Sequence, residues 1–322
     1  MSGMPGPDDM APICFVSRLD PQAAQVWVAA LQAALPDERI ISFDTMTAGQ
    51  RQVCRLAIVA NPDPVQLHAL PQLAWVHSVW AGVEQLAPVL RDANLPLTRL
   101  VDPRLSATMA EAVLAWTLYL HRDMPLYAQR QRRRVWDAQD YVLPEQRTVG
   151  ILGLGELGRV SAAALLQARF KVAGWSRSAH ALDGVRTFSG EDGLAEMLRM
   201  SHILVCLLPL TRATEGLLDA RRLALLPPQA QLINFARGSI IDDDALRAAL
   251  DAGQLRHAVL DVFATEPLPA HSWQWAHPAV TVLPHCSAPT SRDTASSIVA
   301  ANVRQYRASG IIPANVDLQR GY

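Results

Sequence analysis

Lysine is nearly absent from this sequence: of 29 Lys and Arg residues, only Lys171 is a lysine. It stands outside any GxxxxGKS/T loop, which excludes P-loop nucleotide hydrolysis and disfavours a lysine Schiff base. Cysteine is scarce too. Cys14, Cys54, Cys206 and Cys286 are widely separated and form no CxxC pair, so neither a disulfide framework nor a zinc site is indicated. The nine histidines show no HExxH or similar ligand spacing, and no metal is expected. An excess of charge of one sign is missing: 29 basic and 30 acidic residues give a net charge of −1, with no pull toward nucleic acid or an anionic membrane. Long apolar runs are missing as well. The longest, such as ILVCLL, have strand length, so no membrane span is expected. The opening MSGMPGPDDMAP places Pro, Gly and acids where a secretory signal has basic and then apolar residues, and the expected compartment is the cytoplasm.

What is present is a long, half-hydrophobic chain of 322 residues, enough for two ordinary domains. In the first hundred residues PICFVS, RIISF, RLAIVA, AWVHSV and PLTRLV read as strands. PQAAQVWVAALQAAL between the first two reads as a helix, with Asp20 as N-cap and Pro21 at its first position. SATMAEAVLAWTLYLHRDMPLYAQRQRRRVW then predicts a long helical segment kinked at Pro125, followed by a polar connector, DAQDYVLPEQ. A second series follows, RTVGILG, KVAGWS, HILVCLL, AQLINFA, HAVLDVF and VTVLP, with helical patterns between most of them. The fold class implied is α/β with two doubly wound parallel-sheet domains, and ligands are expected at the carboxyl ends of strands in the cleft between them. Arg130, Arg132, Arg133 and Arg134 read as the basic end of a helix, complementing its dipole, rather than as a nucleic-acid contact.

TVGILGLGELGRV holds Gly153, Gly155 and Gly158 in GxGxxG spacing, after an apolar strand and at the opening of a helical run. Gly153 suits the tight turn, Gly155 the close approach of a pyrophosphate, and Gly158 the packing of helix on strand, while the amides of Glu156 and Leu157 point at the phosphates. The next strand ends in GWSRSA, where NAD-binding units place an acid. Ser176 and Ser178 can hydrogen-bond a 2′-phosphate and Arg177 can grip it, which favours NADP(H) and leaves NAD(H) possible. Arg177 equally suits a solvated loop.

With the Gly motif, LLPLTRATEGLLD, LINFARGSIIDDDALRAAL, LDVFATEPLP and LPHCSA in this order, nearly the whole chain resembles the D-2-hydroxyacid dehydrogenase family. WSRS and the C-terminal VDLQRGY are similar to its glyoxylate/hydroxypyruvate reductase branch. The resemblance implies a Rossmann NAD(P)-binding domain at 104–286, inserted into a flavodoxin-like substrate domain made of 1–103 and 287–322, and a homodimer formed through the cofactor domain. It implies NADPH-dependent reduction of a small 2-keto acid, with no nucleic-acid or membrane partner. Arg237 would bind the substrate carboxylate and polarise the keto oxygen. His285 would be the general acid, with Glu266 beside it favouring the protonated ring. Asp261 would contact the nicotinamide end of the cofactor, with Leu208, Pro209, Phe235 and Ala236 also around the cofactor. Ala81, Gly82 and Val83 of VWAGVEQL would offer amides to the substrate carboxylate. Both acids also suit turn capping, and Trp80 and Trp136 stand open between walling the site and packing elsewhere. Glu84 for Asp, Leu283 for Thr and CSA after His285 depart from the family pattern, and bear on substrate preference more than on reaction type. The family also includes an NAD(H)-dependent corepressor, so a sensor with little turnover is the alternative reading.

Overall fold

The structure, a computed structural model, describes residues 11–179, 181–313 and 316–321. The opening MSGMPGPDDM, read above for export, lies outside the described residues. The chain divides into two compact units, Met1–Arg104 with Thr290–Tyr322, and Leu105–Pro289.

In the first unit five strands form one parallel sheet: β1 (Ile13–Ser17), β2 (Ile40–Ser42), β3 (Leu56–Ala60), β4 (Trp75–Ser78) and β5 (Leu97–Thr98). Their order, β2-β1-β3-β4-β5, is that of a flavodoxin-like sheet. β3 is buried throughout, as a parallel strand covered on both faces must be. The first helix, Pro21–Ala34, begins where Asp20 accepts from the amides of Gln22 and Ala23, with proline in its first turn where the missing N–H costs nothing. The chain returns to this unit at its end. Helix Arg292–Ser309 turns Ala295, Val299 and Val303 into the same core as Trp27 and Leu31. Its Arg307 makes a two-pronged ion pair at 2.8 and 3.0 Å with Glu38, which is buried.

The second unit carries seven parallel strands: β6 (Thr148–Leu152), β7 (Lys171–Trp175), β8 (Val185–Phe188), β9 (Ile203–Cys206), β10 (Ala230–Asn234), β11 (Leu255–Leu260) and β12 (Val280–Val282). The order β12-β11-β10-β9-β6-β7-β8 is a Rossmann winding that reverses between β6 and β9. Two sequence expectations need correction. The long helix kinked at Pro125 is two helices, Pro103–His121 and Met124–Arg133. The break falls two residues before the proline. Asp123 takes the left-handed conformation there (φ 55°) and its carboxylate pairs with Arg256 at 3.0 Å, which leaves Pro125 in the tolerant first turn of the next helix. β8 was not anticipated, since VRTF is a half-exposed edge strand without a clean alternation. Among the described residues no helix is long and apolar enough to cross a membrane.

His77 in the first unit and His257 in the second are buried and neutral. His77 on β4 bonds the Ser78 carbonyl through Nδ1 and takes the Asn302 amide on Nε2 at 2.8 Å, tying the terminal helix to the sheet. His257 on β11 meets the Thr281 hydroxyl at 2.8 Å. Burial pushes both down to about 4, with His277 and Arg256 adding to the effect at His257. The unfolded chain binds these protons below about 6.5, whereas the folded chain resists them until about 4. The stabilisation is therefore complete above pH 6.5 and is lost as the pH falls toward 4. Between pH 7 and 5, urea unfolding should show each unit weakened by about 1–2 kcal/mol, and His77→Gln and His257→Gln should each flatten the profile. A wild-type profile flat across that range would contradict the neutral assignment.

Candidate active site

The chemistry-bearing residues of the second unit stand at the carboxyl ends of β10, β11 and β12. Asn234, the last residue of β10, is buried, and its side chain shapes the turn that follows. Its Oδ1 accepts the Ala236 amide at 3.2 Å and its Nδ2 donates to the Arg237 carbonyl at 3.1 Å. Arg237 is presented on that turn, with Nη1 donating to the Ala236 carbonyl at 2.6 Å. Gly238 lies flat against the next loop: a Cβ there would stand 2.1 Å from the carbonyl carbon of Phe263. Only glycine lets the Arg237 turn and the loop after β11 come so close.

That second loop carries both acids. Glu266 folds back so that Oε1 accepts the Phe263 amide at 2.9 Å, which turns Oε2 toward the His285 ring. Nδ1 of His285 meets Oε2 at 2.8 Å. A carboxylate accepts, so Nδ1 carries a proton and Nε2 is the nitrogen left to exchange one with a ligand. The His285 side chain is 51% exposed, as a group that hands a proton to a ligand must be. Its backbone is left-handed (φ 52°), uncommon for a residue with a side chain, and its amide donates to the Asp261 carbonyl at 2.9 Å.

The Gly-rich turn follows β6, beside the point where the strand order reverses. Gly153 has φ 103°, and a Cβ there would lie 2.9 Å from the Leu207 carbonyl oxygen at the end of β9. A Cβ on Gly158 would lie 1.8 Å from the Gly153 carbonyl oxygen, so the helix Glu156–Gln167 sits directly on the turn. Gly155 has nothing within 4 Å of that position, and no side chain caps the helix. Open space over uncapped first-turn amides fits a pyrophosphate.

A family profile described as D-isomer specific 2-hydroxyacid dehydrogenase, NAD binding domain, matches residues 114–287. Glyoxylate/hydroxypyruvate reductase A of Yersinia enterocolitica is 35% identical over 305 residues, 93% of this chain and 96% of that protein. The chain belongs to the D-isomer specific 2-hydroxyacid dehydrogenases. Solved structures agree. A D-isomer specific 2-hydroxyacid dehydrogenase from Xanthobacter autotrophicus Py2, in complex with NADPH and MES, matches with a TM-score of 0.90 at 38% identity, covering 97% of this chain and 99% of the other. An NADPH-dependent glyoxylate/hydroxypyruvate reductase from Sinorhizobium meliloti, in complex with NADP and sulfate, matches at 0.88 and 30% identity, covering 97% and 100%.

The remaining candidates of the dehydrogenase stand in varied settings, each within its own unit. Leu208, Phe235 and Ala236 are buried, so their side chains pack the core and only backbone is left to line a cofactor site. The Pro209 carbonyl accepts the Thr214 hydroxyl at 2.6 Å. The Ser176 hydroxyl donates to the Ser178 carbonyl at 2.7 Å, shaping the loop that exposes Arg177 and Ser178. Both Asp261 oxygens are engaged by backbone amides of Cys286 and Ser287. Ala81, Gly82 and Val83 follow β4 in the first unit, with the Val83 side chain in that unit's core. Trp80 stacks edge-on against Trp27 at 5.5 Å, so its ring packs the first unit, whereas Trp136 is fully exposed. Sequence reasoning missed Asn234 and Gly238. The glycine directly after Arg237 was the one visible signal of a close approach.

Proposed function

We propose that this dehydrogenase reduces a small 2-keto acid of the glyoxylate or hydroxypyruvate type to the 2-hydroxy acid, with NADPH as reductant. The observation that carries the reading is the His285–Glu266 pair, held 2.8 Å apart in the unit that also presents Arg237 and the Gly-rich turn. The names of the relatives from Yersinia and Sinorhizobium support the substrate class, and the NADP complexes support the cofactor.

When bound, the reduced nicotinamide supplies a hydride to the keto carbon. The protein supplies the rest. Arg237, charged at any working pH and forked to match an α-keto acid, holds the carboxylate and draws electron density from the keto oxygen. His285 delivers a proton from Nε2 to that oxygen, and Glu266 steadies the cationic ring through Nδ1. One keto acid, one hydride and one proton give one hydroxy acid. The Gly153–Gly158 turn and the amides of Glu156 and Leu157 take the pyrophosphate, and Arg177 with Ser178 takes the 2′-phosphate. The first unit, residues 1–103 and 287–322, serves as the substrate domain and 104–286 as the cofactor domain, with the amides of Ala81, Gly82 and Val83 completing the carboxylate site. The chain acts as a homodimer through the second unit, where Val135, Trp136, Tyr141 and Leu143 are exposed together on the segment before β6.

The test is NADPH and NADH oxidation against a panel of 2-keto acids. Turnover of glyoxylate or hydroxypyruvate, faster with NADPH, is expected. Tight NADPH binding with no turnover on any of them would instead favour a sensor. Arg177→Asp should weaken NADPH by about ten- to hundredfold, the worth of a charge-assisted hydrogen bond, and leave NADH within about threefold. Equal losses in cofactor titrations would mean the loop reads no phosphate.

A further inference from the structure

We propose that Asn234 is the positioning residue of Arg237, its carboxamide fixing the backbone from which the guanidinium reaches the substrate. This deepens the reading above and rests on Arg237 as the group that binds the substrate carboxylate. Asn234 closes β10, where it pairs with Cys206 of β9 and Leu260 of β11. Its carbonyl accepts the Asp261 amide at 3.1 Å, and the next amide, of Phe235, donates to the Cys206 carbonyl at 3.2 Å. Both neighbouring strands therefore hold the backbone here, and at 1% exposure the side chain offers water almost no surface. From that fixed base the carboxamide meets the turn at two points. Oδ1 accepts the Ala236 amide at 3.2 Å, and Nδ2 donates to the carbonyl of Arg237 itself at 3.1 Å.

An ordinary Asx turn requires only the first of these bonds, an oxygen that accepts the amide two residues on, which aspartate or serine also supplies. The second requires an NH2 group. Asparagine is the short side chain that joins this donor and that acceptor in one planar group. The donor goes to the residue that carries the guanidinium. The same carbonyl takes the Ile240 amide at 3.3 Å, closing the short helix Gly238–Ile240, and Gly238 lies against the Phe263 backbone. Arg237 is thus bracketed, by the carboxamide on one side and by the loop after β11 on the other. Removing the carboxamide frees one side only, and in so buried a place solvent does not replace the two lost bonds.

Asn234→Ala removes both bonds. The expected result is a kcat/KM on the active keto acid lowered by about ten- to hundredfold, the cost of misplacing a reacting group by about 1 Å. Binding of oxamate, a 2-keto acid analogue that cannot be reduced, should weaken by a similar factor. Affinity for 2′-phospho-ADP-ribose should stay within about threefold, because the Gly-rich turn that would hold its pyrophosphate follows β6. The deciding measurement is a double-mutant cycle. In an Arg237→Ala background, where residual turnover is read at high enzyme concentration, Asn234→Ala should cost less than about twofold more, since the group it places is gone. Equal losses in both backgrounds would overturn the proposal, for the carboxamide would then act through something other than the guanidinium. Unchanged kcat/KM in a folded Asn234→Ala would overturn it too. Asn234→Ser, smaller and uncharged without the NH2, carries the same cycle if the alanine variant does not fold. In the wild-type chain, hydrogen exchange should protect the Ala236 amide, and fast exchange there would contradict the assignment. Arg237→Ala alone tells the two readings apart. If it retains turnover, the reading of the carboxylate site fails, whereas a collapse of its turnover beside an unaffected Asn234→Ala would sink only the positioning role.

Discussion

His285→Ala is expected to lower kcat for keto-acid reduction by about 10²- to 10⁴-fold, the usual worth of a positioned general acid. Nδ1 is committed to Glu266 at 2.8 Å, so Nε2 is the ring nitrogen able to deliver a proton, and water is a weak substitute once the imidazole is gone. The loss should fall on kcat more than on NADPH affinity, because the Gly-rich turn follows β6 while His285 follows β12. Glu266→Gln should lose nearly as much. The Phe263 amide donates to Oε1, so the oxygen of a glutamine would face Phe263 and its NH2 would face Nδ1. A ring nitrogen facing a donor cannot itself carry a proton, and the cationic imidazole is disfavoured. Steady-state NADPH oxidation gives kcat, and fluorescence titration of NADPH confirms that the cofactor still binds. A kcat for His285→Ala within threefold of wild type would remove His285 from the reaction.

The sequence made the strands legible where burial made them apolar. β3 and β9 are buried from end to end and read as uninterrupted apolar runs, while β8 lies half-exposed at the sheet edge and left no pattern. The Gly-rich turn was legible because all its constraints are local: Gly153 needs a positive φ and Gly158 needs contact with Gly153, five residues away. The helix break at Asp123 was not, because its anchor, Arg256, is 133 residues distant in the chain. The same holds within the candidate site. Arg237, Glu266 and His285 were legible as motifs, but nothing in the order of residues says that Asp261 meets the amides of Cys286 and Ser287 across the β11–β12 register. Nor does it say that Asn234 folds back on Arg237. Such contacts depend on which loops the sheet brings side by side, a property of strand order that a linear pattern does not hold.

Gly238→Ala should damage both the fold and the reaction, although it adds one methyl group and touches none of the three chemical side chains. The new Cβ would stand 2.1 Å from the carbonyl carbon of Phe263, 2.3 Å from the Ala264 nitrogen and 2.4 Å from the Phe263 Cα. All three are backbone atoms, so no rotamer change relieves the overlap and one of the two loops must move by about 1 Å to reach ordinary contact. The loop that moves either carries Arg237 or carries Glu266, whose position depends on the Phe263 amide. Overpacking of this kind costs about 1–3 kcal/mol of stability, and a 1 Å displacement of a reacting group costs about 10²-fold in rate. Thermal unfolding and kcat of the folded variant measure the two effects separately. Gly49→Ala is the control: it sits in helix Ala48–Val53 with nothing within 4 Å, and alanine there should leave kcat unchanged and add about 0.5–1 kcal/mol of stability. If Gly238→Ala kept its rate as Gly49→Ala does, the close approach of the two loops would not be what sets the distance between the guanidinium and the acid pair.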